Sequence, residues 1–367
     1  MKKIGLLVLL FFTISAFTLP DDSLKEGFIT GNPEIKSVNS LAFGPEGILF
    51  IGDSQRGEII ALDTKDITSK DAPKTIDMKK VDVTIAAMLG TNPDAVSIQD
   101  MAVNPLSKMI YVAVQLADGT PVILRTAGDK FENVSLKSVS YSKIALEKVV
   151  KEDAKDQRGR PLRMWTISDL SYYKGQVMVS GLSNEEFSST FRSIPFPFKD
   201  KQMHASLEMY HAAHGQYETH SPIKTFMPYE IGGKDYLVAS YTCTPLVIFP
   251  MDELKAGQHV KGKTVAELGN RNTPLDIVSV DVDGKAYILL ANSSRALMKI
   301  DPAKIAEYKA YLTEPVKESS ATAGVDFIAL PYVHIQQMDK LSKEQVLVLQ
   351  RNDKGDLNLM TIDSNRL

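Results

Sequence analysis

Two short apolar strands joined by a tight turn recur six times along this chain, and that repetition constrains the fold more than any other feature. The units are V-N-S-L-A-F-G-P-E-G-I-L-F-I-G-D-S at residues 38–54, I-Q-D-M-A-V-N-P-L-S-K-M-I-Y-V-A-V from 98, and I-S-D-L-S-Y-Y-K-G-Q-V-M-V-S-G from 167. K-T-F-M-P-Y-E-I-G-G-K-D-Y-L-V-A-S follows from 224, then L-D-I-V-S-V-D-V-D-G-K-A-Y-I-L-L-A-N from 275. The sixth is read as V-D-F-I-A-L-P from 325, with V-L-V-L-Q-R-N after a longer insert. The turns hold the glycines and prolines that tight reversal needs.

A third strand follows each pair: E-I-I-A-L-D at 58, P-V-I-L-R at 121, T-F-R-S-I-P at 190, L-V-I-F-P at 246, A-L-M-K-I-D at 296 and L-N-L-M-T-I-D at 357. Each unit is therefore a small antiparallel meander. A meander cannot bury both faces alone, and repeats spaced by about 50 to 70 residues solve this by packing radially. The expected fold is all-β, a six-bladed β-propeller with short helical inserts. Residues 78–89, 143–155 and 302–312 have helical apolar spacing and are predicted as those inserts.

G-D-S-Q-R-G-E-I-I-A-L-D in the first unit and A-N-S-S-R-A-L-M-K-I-D in the fifth resemble the six-bladed propellers of the NHL-repeat and SMP-30 (gluconolactonase-like) kind. That resemblance concerns repeat style over residues 35–363. It implies a divalent metal near the channel and, as one reading, a lactonase-like hydrolase. The metal-ligand set of that family does not map onto this chain residue by residue.

The first residues are M-K-K-I-G-L-L-V-L-L-F-F-T-I-S-A-F-T. Two lysines, an apolar run and small residues make a secretory signal peptide over residues 1–19, cut near Ala16 to Leu19. The run is short for a membrane span of about 20 residues. Residues 20–367 are then one propeller domain, periplasmic or secreted, with no membrane span in the mature chain. The net charge of −3 gives no support for nucleic-acid binding, which needs a basic patch, and no nucleic acid is expected as a partner. The single cysteine, Cys243, excludes an internal disulfide.

Aligning the six inner strands stacks Ser40, Asp100, Asp169, Thr225, Asp276 and Asp326 around the channel. Such oxygens suit calcium; each aspartate could instead bond nearby backbone amides. Y-H-A-A-H-G-Q-Y-E-T-H-S-P (210–222) holds three of the six histidines, His211, His214 and His220, at the connection into the fourth unit. Three imidazoles suit zinc, copper or iron with a position left open. A helix over 201–214, placing His204, Glu208 and His211 on one face, is the alternative. Arg56, Arg163, Trp165, Arg271 and Arg295 fall in loops on the same face, where arginine forks could bind an anionic ligand or pair with aspartates.

G-Q-H-V-K-G-K-T (Gly257–Thr264) matches a phosphate-binding loop. It lacks the strand before and helix after that such a loop requires, so no nucleotide triphosphate is expected. Cys243 reads as a buried, inert thiol; as a nucleophile it would need an adjacent base, for which His220 is the candidate. The expectation is an exported binding module whose channel mouth holds a metal ion, a small ligand or a partner protein. The alternative is a metal-dependent enzyme at that mouth, either a lactonase-like hydrolase or an oxidoreductase using a histidine-bound metal or a quinone.

Overall fold

The computed structural model describes residues 24–199, 201–318 and 320–367, so the leader predicted over 1–19 lies outside the described residues. Six antiparallel meanders, each of four strands or more, surround one axis. Blades are named here in chain order. Their inner strands are Ser40–Phe43, Val96–Val103, Asp169–Tyr173, Ile223–Ile231, Pro274–Val282 and Ile335–Lys340, and each contacts the inner strands on both sides. Among the described residues no helix is long and apolar enough to cross a membrane.

Order around the axis departs from order along the chain. Blade one packs between blades two and three. Its Leu49, Ile51 and Ile60 meet Tyr111 and Ala113 of blade two, and its Phe50 and Ile59 meet Leu170, Val179 and Ile194 of blade three. Blade two closes the circle by packing Met101, Val112 and Leu124 against Leu347, Leu349 and Leu359 of blade six. The ring therefore runs two, one, three, four, five, six. The chain returns from blade two across the outside of blade one, where Val139–Ala145 pairs with Glu58–Asp63 as the fourth strand. Blade six is completed from the other end of the chain by Asp77–Met78, which pairs with Leu357–Asp363.

This return explains one correction. Residues 143–155 form no helix; they begin in the Val139–Ala145 strand and continue as turns. Strand alternation on blade one outweighs the helical spacing. Helices do form at Val81–Leu89 and Pro302–Glu307, the second shorter than predicted. Residues 203–211 are strand rather than the alternative helix, because Met203–His211 is the outer strand of blade three.

Close packing between blades leaves little room for added atoms. A Cβ on Gly52 of blade one would lie 2.8 Å from Ile167 Cγ2, at the entry to blade three. Gly52→Ala is expected to cost about 1–3 kcal/mol through overpacking, read as a lower midpoint in thermal or urea denaturation.

Candidate functional site

The ring of inner-strand residues forms, with one substitution. Its members pair with equivalent positions of the second strands: Ser40 with Gly52, Asp100 with Ala113, Asp169 with Ser180, Thr225 with Ser240 and Asp276 with Ala291. The sixth place belongs to Gln337, opposite Leu349, and not to Asp326. Asp326 directly precedes Phe327–Ala329, the outer strand of blade five, and its exposed carboxylate faces Lys304 at 3.9 Å. The strand predicted as the start of blade six is thus the end of blade five.

The aspartates clasp neighbouring blades together. Asp100 accepts the amide of Met101 (2.7 Å) with one oxygen and that of Leu41 in blade one (2.6 Å) with the other. Asp169 accepts Leu170 N (2.8 Å) and Phe226 N of blade four (2.9 Å), plus the hydroxyls of Ser40 and Thr225. Asp276 accepts Ile277 N and Met338 N of blade six. Asp339, two residues beyond the ring, repeats the pattern with Lys340 N and Val103 N. Ser40 Oγ, accepting Leu170 N at 3.1 Å, serves between blades one and three.

Burial, and then repulsion from Asp169, push the Asp100 carboxyl up to about 7; burial pushes Asp339 up to about 6. Burial also raises Asp169 and, with repulsion from Asp100 and Asp169, raises Asp276 well above the usual range. At ring level the lumen narrows to a cavity of about 20 Å³. No three of these carboxylates converge as a metal-ligand group; among the described residues that arrangement occurs elsewhere.

It occurs on the face where the inner strands start, toward the rim between blades three and four. His211, His214 and Cys243 each bring one ligand atom to within 4.8 Å of the others. His211 ends the outer strand of blade three. Gly215, at φ +66°, turns the chain into Gln216–Glu218, which pairs back along that strand. This hairpin places Glu218 beneath both imidazoles. Its Oε1 lies 3.0 Å from His211 Nδ1 and 2.6 Å from His214 Nδ1, and its Oε2 accepts Ser221 Oγ. The rings lie 3.9 Å apart between centroids.

Cys243 sits in the turn between the second and third strands of blade four, with Sγ 4.0 Å from His214 Nε2. Its φ is +131° and that of Thr244 is +99°, a backbone that side-chain-bearing residues rarely adopt. Buried Glu267 fastens this turn to the histidine loop, accepting from Thr244 Oγ1 and from Ala213 N, and its Oε2 lies 3.9 Å from His211 Nε2.

His211 is 1% exposed, and its Nε2 has no hydrogen-bond partner. Burial opposes charge on this ring. Interactions with Cys243, Glu218 and Glu267 prevail and push its pKa up to about 10. Burial would raise Glu218, but His211, Ser221 and His214 hold it down at about 2. The stabilising contribution of Glu218 is present above the ordinary glutamate range and lost as pH falls through about 2. That of His211 is present below the ordinary histidine range and lost as pH rises through about 10.

His220 is not part of the cluster; its Nδ1 meets Ser188 Oγ at 3.2 Å. Proximity in sequence singled it out, whereas the fold gives its place to Cys243. Cys243 lies beside His214 rather than His220. Glu218 went unnoticed although H-x-x-H-x-x-x-E was visible.

The arginines are dispersed. Arg56 binds the Glu34 carbonyl and carboxylate, Arg163 the carbonyls of Gln55 and Val150, and Arg295 that of Ser320. Exposed Arg271 takes φ +61°, and Trp165 lies in the short helix Arg163–Thr166. In the Gly257–Thr264 segment, His259–Lys261 forms a parallel strand against blade three and Lys263–Glu267 the outer strand of blade four, with no phosphate-loop geometry.

No protein-family model matches the chain, and no curated protein matches it. Solved structures do. The PQQ-bound aldose sugar dehydrogenase of Streptomyces coelicolor aligns over 92% of this chain and 98% of its own, at 12% identity and a TM-score of 0.36. A putative oxidoreductase (glucose dehydrogenase) of Thermus thermophilus aligns over 91% and 99%, at 9% identity and a TM-score of 0.36. Neither is described as an NHL-repeat or SMP-30 protein. The chemistry of the site is argued from this chain's own residues.

Proposed function

We propose that this protein is an exported propeller that binds a transition metal, zinc or copper, through His211, His214 and Cys243. The carrying observation is the shared carboxylate. Glu218 accepts both Nδ1–H groups, which turns Nε2 of each imidazole away as the ligand atom; the Nε2 of His211 is buried without a partner, and a metal there takes the place of the proton that its raised pKa holds. A carboxylate behind a histidine is the usual means of fixing tautomer and ring orientation at a metal. Two imidazoles with a thiolate form a donor set for copper or zinc.

The spacing fits. In a tetrahedral site with metal–sulfur near 2.3 Å and metal–nitrogen near 2.0 Å, sulfur and nitrogen lie about 3.5 Å apart. The observed 4.0 Å from Cys243 Sγ to His214 Nε2 needs a contraction of roughly half an ångström by that measure, and the widest pair of the three, within 4.8 Å, closes by up to about 1.5 Å. Three protein ligands leave a position open. A cavity of about 180 Å³ lies nearby, lined by Ala213 of the histidine loop and by Asn270, whose Oδ1 is 3.8 Å from Cys243 Sγ. The lone cysteine of the chain stays available as a ligand in an oxidising compartment, because it has no internal partner for a disulfide.

Metal-free protein titrated with zinc or copper is expected to retain one equivalent after gel filtration. Cobalt(II) is expected to give a thiolate charge-transfer band in the near ultraviolet. Neither retention nor band would overturn the assignment.

One observation favours a second reading. Cys243 Sγ, His214 Nε2, His214 Nδ1 and Glu218 form a relay of nucleophile, base and orienting acid, and the cysteine stands on a strained turn. Without metal, that relay suits attack on an acyl carbon. Fast iodoacetamide labelling of Cys243 that zinc does not suppress would favour the enzyme over the metal centre.

A further inference from the structure

Arg192 is the bulkiest side chain among the described residues to be completely buried. It stands in Ser189–Pro195, the third strand of blade three, opposite Val179 of the second. Strand alternation turns Phe191 into the core shared with blade four. It turns Arg192 the other way, onto the face of Val177, Val179 and Ile194 that packs against blade one. Among the described residues its guanidinium makes one hydrogen bond, from Nη2 to the Glu147 carbonyl at 3.3 Å, while Nε and Nη1 have no partner. Glu147 follows the returning strand Val139–Ala145 of blade one, so this bond spans the seam between the two blades.

His204 is the direct partner of Arg192 on the fourth strand, Met203–His211. The two side chains therefore share a face, with Cβ atoms about 5 Å apart, within reach of one small ion. The Nε2 of His204 is also buried without a partner. Its Nδ1 lies 3.5 Å from Glu185 Oε2, too far to fix the tautomer, so Nε2 is free to carry the ring proton. Burial lowers Arg192 to about 10, which leaves it charged at neutral pH. Two carboxylates act on it and neither bonds it: Glu185 is held by Lys148 Nζ at 2.6 Å, and the Glu147 side chain is exposed. A buried charge is costly unless it is paired and hydrogen-bonded, and the apolar face around Arg192 supplies neither.

We propose that Arg192 and His204 hold a small monovalent anion of the chloride class at the seam between blades one and three. An unpaired guanidinium N–H and the imidazole Nε2–H donate to it, the first as a charge-assisted hydrogen bond. Complete burial of Arg192 excludes an extended ligand, and its charge excludes a metal cation. A spherical ion accepts from any direction, so it suits donors that arrive from two strands. Glu185 opposes the ion and Lys148 offsets that repulsion. The bound anion fastens the Glu147 segment to blade three, so its effect is on stability and not on turnover. This proposal is independent of the metal centre.

The test is chloride-35 NMR line broadening of the purified protein in a sodium chloride titration, with denaturation midpoints in sodium chloride and sodium gluconate at equal ionic strength. Saturable broadening that bromide displaces is expected, with a higher midpoint in chloride, because the ion binds the folded chain alone. Arg192→Met removes the charged donor and is expected to abolish both effects, while its midpoint in gluconate holds or rises as an unpaired buried charge is lost. Glu185→Gln is expected to tighten binding roughly three-fold or more by removing a nearby negative charge. Were Arg192 merely the partner of Glu185, that variant would instead lower the midpoint equally in both salts, which would overturn the proposal. Crystals soaked in bromide are expected to show an anomalous peak within hydrogen-bond distance of Arg192 and His204. A water molecule in that place, or broadening that Arg192→Met leaves intact, would also overturn it.

Discussion

Cys243→Ala is expected to leave the purified protein without stoichiometric zinc or copper, and His211→Ala to do the same. Each change removes one of three ligands and leaves too few to hold the ion. Glu218→Gln keeps all three ligands but alters their orientation. A neutral amide oxygen can still accept from one Nδ1–H, while the second imidazole loses its partner or meets an amide donor. Loss of a supporting carboxylate typically lowers metal affinity about 10- to 100-fold, measurable by competition with a chromogenic chelator. His220→Ala should leave affinity unchanged, because His220 bonds Ser188 outside the cluster. Cys243→Gly separates function from stability. Glycine accepts φ +131° without the penalty the cysteine bears, so this variant is expected to lose the metal yet gain about 1 kcal/mol in metal-free denaturation. Equal metal content in the wild type and Cys243→Ala would remove Cys243 from the site.

How much of this was readable before the fold was known follows from which residues share a periodic environment. Ser40, Asp100, Asp169, Thr225 and Asp276 were legible as one level because each stands in the same place relative to a hairpin. Gln337 was not, because I-Q-Q-M-D-K carries little strand character beside V-D-F-I-A-L-P, which looked like an inner strand and ends blade five instead. Blades two, four, five and six share an irregularity just before the ring residue, at Gln99, Lys224, Leu275 and Gln336. The histidine cluster was half legible. H-x-x-H lies within one turn of chain, but its third donor arrives from 29 residues beyond His214 through the contact of two blades. The ring order was hidden altogether, because it depends on the tertiary return of Val139–Ala145 across blade one.

The clasps should dominate stability. Asp169→Ala removes a carboxylate that accepts two amides and two hydroxyls from blades one, three and four. Each buried donor left unsatisfied costs about 1–3 kcal/mol. Water entering from the lumen recovers part of that, so a net loss of about 3–5 kcal/mol is expected, seen as a lower denaturation midpoint. The same carboxylates make stability depend on pH in a set direction. Burial first, and mutual repulsion at Asp100 and Asp276, raise these groups in the folded protein above their unfolded values near 4. Between pH 4 and about 7, the folded chain therefore binds more protons than the unfolded one. Stability must fall as pH rises through that window, by roughly 1.4 kcal/mol per pH unit for each proton involved. His211, raised to about 10, continues the decline above its ordinary range. The two contributions separate by substitution: Asp100→Asn should flatten the slope between pH 4 and 7, while His211→Ala should flatten only the slope above it. Denaturation midpoints that rise from pH 5 to pH 7 would show that the clasping amides outweigh burial, and that these aspartates are ionised throughout the window.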